Sequence, residues 1–173
     1  MTRLLPLAAA AALLLSLTAC SPSEAPADDT AGSGVSEGAC ADAEGVTLSV
    51  DASAIDAAPE QWCIPTDDTI AASDVLSLAG VTTEGTEEYG DQVVCRVDGV
   101  PAADQKLPNP EGGDYVEECA AMPAAFAYWS LWVKPAGGEW DYAQEGLSTL
   151  DLDPGDSLEL LFSLNGEPAA PAS

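Results

Sequence analysis

Five cysteines, 30 carboxylates and no histidine frame the chemistry open to this 173-residue chain. Without imidazole, no side chain has an ordinary pKa near neutrality. Ser-His and Cys-His nucleophile pairs and imidazole-built metal centres are excluded. Serines are present, but with no histidine to activate one, a nucleophile elbow has no base. Paired carboxylates cleave glycosides only when a scaffold holds two of them facing each other, and nothing in the sequence aligns such a pair. The run Asp151-Leu152-Asp153-Pro154-Gly155-Asp156 has a calcium-like spacing. It lacks the glycine at the sixth position and the glutamate at the twelfth of an EF-hand loop, and a type I or II turn on Pro154-Gly155 accounts for it. Glu84, Glu87, Glu88, Glu117 and Glu118 read as solvated loop charges. The expectation is therefore a protein that is not an enzyme, with no resident cofactor and no metal.

Binding chemistry is better represented. Tyr128, Trp129, Trp132, Trp140 and Tyr142 crowd into a short stretch. In a strand, Trp129, Leu131 and Val133 share one face and Tyr128, Ser130 and Trp132 the other. Placing Trp129, Leu131 and Val133 under a helix leaves Tyr128 and Trp132 outside, near Trp140 across a hairpin. Such a cluster is a stacking platform for a planar ligand, a sugar, a peptide or a partner protein. The bland alternative is that the loop 101–123 covers it as a second small core. Arg96 is one of few cations, expected to form a surface ion pair or to meet an anionic ligand beside the aromatic face.

Residues 46–51 alternate apolar and polar, as a half-buried strand does, and residues 61–64 form a short extended piece. Thr66 to Thr69 supply capping residues ahead of a helix over 70–79, in which Ala72, Val75, Leu76 and Ala79 make one apolar stripe and Gly80 ends it. Residues 92–97 read as a strand turned by Asp98-Gly99. Strands over 127–133 and 158–164 follow, with Glu139 to Tyr142 as hairpin partner of the first. One helix on a mixed sheet is an α+β arrangement, and a β-grasp-like sheet fits this order.

The first residues carry an address. Arg3 precedes an apolar run over 4–15, too short to span a bilayer and typical of a secretory signal. The run ends in Leu17-Thr18-Ala19-Cys20, which resembles the lipobox of bacterial lipoproteins. It implies residues 1–19 as a signal peptide, cleavage before Cys20, and lipid on Cys20 as an anchor at the outer face of the cytoplasmic membrane. Residues 20–44, poor in large side chains, read as a flexible acidic tether; 45–166 is the folded unit and 167–173 a frayed tail. Without residues 1–19 the chain keeps 30 acids against Arg96, Lys106 and Lys134, which argues against nucleic acid as a partner. Four cysteines remain beyond Cys20, an even number in an exported chain. Of the three possible connectivities, Cys40–Cys63 and Cys95–Cys119 are preferred, because each pair flanks one strand-and-loop unit and closes a loop of about 25 residues worth roughly 3 kcal/mol. A zinc site would need tighter spacing.

A wider resemblance runs from about residue 46 to 164. The succession Val94-Cys95-Arg96-Val97-Asp98-Gly99, Tyr128-Trp129-Ser130-Leu131-Trp132, Gly138-Glu139-Trp140 and Asp153-Pro154-Gly155-Asp156 resembles a bacterial domain family related to the carboxy-terminal domain of transcobalamin and intrinsic factor. Its members show a strand ending in Asp/Asn-Gly, a Tyr-Trp-x-x-Trp/Tyr strand, a Gly-x-Trp turn and a Gly-Asp turn before the last strand. The resemblance implies a β-grasp-like fold and capture of a corrinoid or another planar ligand, and no catalytic residue carries over. From the aromatic cluster and the scarcity of cations, Tyr128, Trp132, Trp140, Tyr142 and Arg96 are the candidate ligand contacts, and a ligand captured there would be handed on to a transporter subunit. The alternative is a protein-interaction or structural envelope lipoprotein.

Cys20→Ser should abolish incorporation of labelled palmitate and move the protein from the membrane to the soluble fraction. Unchanged labelling would remove Cys20 as the anchor.

Overall fold

The computed structural model describes residues 34–41 and 44–172. The signal segment, Cys20 and the first part of the tether lie outside them. The elements run β1 (Ser36–Glu37), β2 (Val46–Asp51), β3 (Glu60–Ile64), β4 (Ile70–Ala71), α1 (Ala72–Ala79), β5 (Thr83–Thr86), β6 (Gly90–Val97), β7 (Leu107–Pro108) and β8 (Asp114–Tyr115). They continue with β9 (Ala127–Lys134), β10 (Asp141–Tyr142), β11 (Asp151–Leu152) and β12 (Ser157–Leu164).

The main sheet has the order β1-β3-β2-β12-β9-β10. β2 and β12 pair in parallel, Leu158 opposite Leu48, while β12 pairs antiparallel with β9 along its whole length. First and last long strands side by side at the centre, with a hairpin on either flank, is the expected β-grasp-like α+β arrangement. Two-stranded ribbons β5–β6, β7–β8 and β4–β11 surround it.

Alternation decides the faces. Val46 and Leu48, Ile64, Leu158 and Leu160 point to one side and bury against Ala72, Val75 and Leu76 of α1. Trp129, Leu131 and Val133 join this core on the predicted side. A second cluster gathers Ala52, Leu107, Ala127 and Phe162, with Tyr115 and Phe126 in edge-to-face contact against it. The loop 101–123 does build a second core, but over Phe162 and not over Trp132.

Both preferred disulfides are present, with sequence separations of 23 and 24 residues. Cys40 is held further by its N–H, which donates to Thr47 Oγ1 at 3.0 Å. The ordered part begins earlier than Gly45: Ser36 and Glu37 form an edge strand opposite Cys63 and Trp62. At the other end, Ser163 Oγ donates to the Pro168 carbonyl at 2.8 Å, so the first tail residues fold back on β12.

The helix is shorter than its sequence pattern. Ile70 and Ala71 pair with Leu152 and Asp151, and the helix starts only at Ala72, without a side-chain cap. Thr69, expected to cap, donates instead to Asp153 Oδ1 at 2.6 Å. Gly80 ends the helix at φ 77° as expected, and the Val81 N–H returns to the Leu76 carbonyl. Gly45 has a different necessity: a Cβ there would collide with the Ile64 carbonyl oxygen. Its own carbonyl accepts from Gly155 at 2.7 Å, which ties the start of β2 to the turn before β12.

The second face of the sheet is mixed: Leu161 and Trp132 are buried on it beside polar residues. Thr47, Ser49, Glu159 and Ser163 are buried there too. Burial pushes the Glu159 carboxyl up to about 7, reinforced by Asp51 and opposed by Lys134. A raised acid binds its proton more tightly in the folded chain than in the unfolded one. Its stabilising contribution is full below about pH 4.5 and is lost as pH rises through about 7. Glu159→Gln should therefore raise the melting temperature relative to wild type at pH 8 and leave it equal at pH 4. A difference independent of pH would remove Glu159 as the cause.

Candidate functional site

The aromatic residues are brought together, though not as a platform. Trp132 is buried at 7% exposure, its ring stacked under Tyr142 with centroids 3.9 Å apart and planes at 28°. The register places Tyr142, not Trp140, opposite Trp132. The indole Nε1 of Trp132 donates to Ser130 Oγ at 3.0 Å, and Ser130 Oγ donates to the Leu161 carbonyl. Face and polar edge of Trp132 are thus both used internally, and the expected exposed contact is corrected to a capped one. Tyr142 remains 47% exposed, with its phenol pushed up by burial and by the neighbouring Tyr128 hydroxyl. Trp140 lies further along, with Lys134 Nζ 5.1 Å from its ring. Its buried Nε1 has no hydrogen-bond partner among the described residues.

Arg96 does not lie at a ligand surface either. It is buried, and its whole fork is engaged: Nε donates to the Pro101 carbonyl at 2.9 Å, Nη1 to Glu84 Oε2 at 2.8 Å and Nη2 to the Glu117 carbonyl. Glu117, expected to be solvated, is also buried and accepts from the Tyr115 hydroxyl and the Cys119 N–H. Burial and the Glu117 hydrogen bond push the Tyr115 phenol up to about 12. With the Cys95–Cys119 bond this network clamps the loop 101–123 at both ends. The cluster of Glu84, Cys95 and Cys119 belongs to this clamp, since its two sulfurs are bonded to each other.

The remaining chemistry-bearing motifs are structural in place. Asp156 caps its turn by accepting from the N–H groups of Ala136 and Asp153. Gly34-Val35-Ser36-Glu37-Gly38 has the spacing of a nucleophile elbow, but Ser36 sits in the edge strand β1 and not in a strand-to-helix turn.

A mostly apolar concavity lies elsewhere. A groove of about 620 Å³ runs along the side of β9 turned away from β12. One wall is the start of β6, from Asp91 to Val94; the other is Tyr128, Trp129 and Leu131 with the segment 143–147; Pro123 and Ala124 close one end, and Leu160 lies at the base. A second hollow of about 360 Å³ continues it past Asp91 and Leu147 to the end of α1. Of the expected contacts only Tyr128 lines the groove. Sequence patterning had no means of finding it, because it arises where β10 stops short and leaves one edge of β9 without a strand partner among the described residues. No family model matches the chain, and no curated protein or solved structure shows significant similarity to it.

Arg96→Met, close in volume, should cost about 2–4 kcal/mol of unfolding free energy in denaturant titration, because it strands the Glu117 backbone carbonyl and the Pro101 carbonyl. Arg96→Lys should recover less than half, as a single ammonium cannot reproduce the fork. A loss under about 0.5 kcal/mol would show the clamp to be idle.

Proposed function

We propose that this chain is an exported lipoprotein, held through Cys20 at the outer face of the cytoplasmic membrane, whose domain is a non-catalytic binding module with the β9 groove as its site. The order of charge, apolar run, small residues and Cys20 supports the export and anchoring. The two disulfides fit an oxidising compartment. The groove is the observation that carries the binding reading: its volume of about 620 Å³ lies within the range of small-molecule sites, and apolar side chains dominate its walls. The absence of histidine from the sequence supports a role in holding, with no chemistry done on the occupant.

A small planar ligand, a corrinoid among them, handed on to a transporter subunit is the occupant that the motif resemblance implies. The capped state of Trp132 moves any such contact from the expected platform to Tyr128 and Trp129. A protein segment is the second reading, favoured by the unpaired strand edge that borders the groove.

Full-length protein in detergent micelles, titrated with cyanocobalamin, haem and a panel of small metabolites, tests the small-ligand reading by indole quenching. Saturable quenching weakened roughly tenfold by Ala125→Arg, which plants a long side chain at the groove from an exposed position, is the expected result. Quenching indifferent to that substitution would place the ligand elsewhere. A flat response across the panel would set small ligands aside.

A further inference from the structure

The groove has two unusual walls. On β9, the Leu131 carbonyl accepts from the Ala143 N–H at 2.9 Å, so the peptide groups of Leu131 face away from β12. By the alternation of a strand, those of Trp129 face the same way. The β10 ladder reaches only Trp132 and Val133. Beyond Leu131 it ends, and among the described residues Trp129 has Phe162 of β12 opposite it on one side and no strand or loop partner on the other. On the opposite wall, β6 pairs with β5 alone, so its other edge carries no strand partner among the described residues. The open edge of β9 therefore borders the groove, and Asp91 to Val94 of β6 line it as well. Backbone groups left unpaired beside apolar side chains are costly unless something supplies the missing partners.

Shape and charge narrow the occupant. The groove and its continuation share Asp91 and Leu147 and together run from Pro123 past the end of α1, an elongated channel. Among the described residues its charged lining is Asp91 and Glu145, with no cation. The chain's basic residues in the described region are engaged elsewhere: Arg96 in the clamp, Lys106 on Asp114 at 3.0 Å and Lys134 over Trp140.

We infer that the groove takes an extended, net-cationic polypeptide segment, which adds as a strand along the free edge of β9. Its backbone pairs with the Trp129 N–H and C=O. Alternate side chains rest on Val94, Leu131 and Leu147, and a lysine or arginine meets Asp91 or Glu145. Main-chain pairing supplies affinity and the alternate pockets supply selectivity. This rests on reading the groove as the binding site, and it names the occupant.

The test pans a randomised octapeptide display library on full-length protein in detergent, then measures the enriched peptide as a synthetic ligand. The expected peptide is net positive with apolar residues at alternate positions. It slows amide hydrogen exchange across residues 127–131 and loses binding when N-methylated on one alternate set of residues but not on the other. The double variant Asp91→Lys, Glu145→Lys, both exposed positions, should bind it roughly tenfold more weakly or worse, with circular dichroism confirming an unchanged fold. No enriched peptide, or one whose binding ignores both the N-methyl groups and the charge reversal, overturns the inference. If cyanocobalamin then binds in an Ala125→Arg-sensitive manner, the binding module stands and only the polypeptide occupant fails. If neither binds, both readings fail together.

Discussion

β12 is the strand on which this structure depends. It is paired on both sides, in parallel with β2 and antiparallel with β9, and its alternate residues Leu158, Leu160 and Phe162 enter both hydrophobic clusters. Its other face places Glu159 and Ser163 in a buried, mixed layer with Leu161. Remove this strand and the two hairpins have no common centre, α1 has no sheet to cover, and β9 has no fixed orientation. The groove depends on it equally, because it is the side of β9 not taken by β12 that remains open.

A second constraint shapes the other end of the fold. Arg96, the most buried cation described, gathers two backbone carbonyls and one carboxylate, and the disulfide from its neighbour Cys95 fastens the same loop. The loop 101–123 is thereby fixed against β6 and carries Leu107 and Tyr115 onto Phe162 and Phe126. β6 thus reaches the groove as a firm wall. A charge that reads as a surface feature in the sequence acts as an internal fastener, consistent with the preference of guanidinium for planar, multidentate recognition.

Much of the fold was legible because its signals are local. The alternation of residues 46–51 and 158–164, the aromatic strand from Ala127, Gly80 as helix terminator and the disulfide pairing by chain separation all needed only near neighbours in sequence. So did the assignment of Trp129, Leu131 and Val133 to the helix side. What escaped was tertiary. Ile70 and Ala71 follow a helical pattern, yet a strand partner eighty residues away claims them. Tyr142 displaces Trp140 as the cover of Trp132 because of a hairpin register that composition does not encode. Glu117 is indistinguishable from Glu118 until a tyrosine and a backbone N–H converge on it. The groove is the extreme case, since it borders an edge of β9 that no strand among the described residues takes up.

The parallel union of β2 with β12 has a consequence for how the molecule comes into being. The two central strands lie at opposite ends of the folded unit, more than a hundred residues apart in sequence. A chain delivered amino end first from a ribosome therefore has both flanks of its sheet before the last central strand is available. The hairpin of β2 and β3 can form early and be locked by Cys40–Cys63, and the loop 101–123 can be fastened by Cys95–Cys119, while the apolar faces they flank still await their filling. Contacts of such long separation form slowly. The two covalent ties each close a span of 23 or 24 residues inside one part of the chain, so neither needs the final strand to bring its cysteines together.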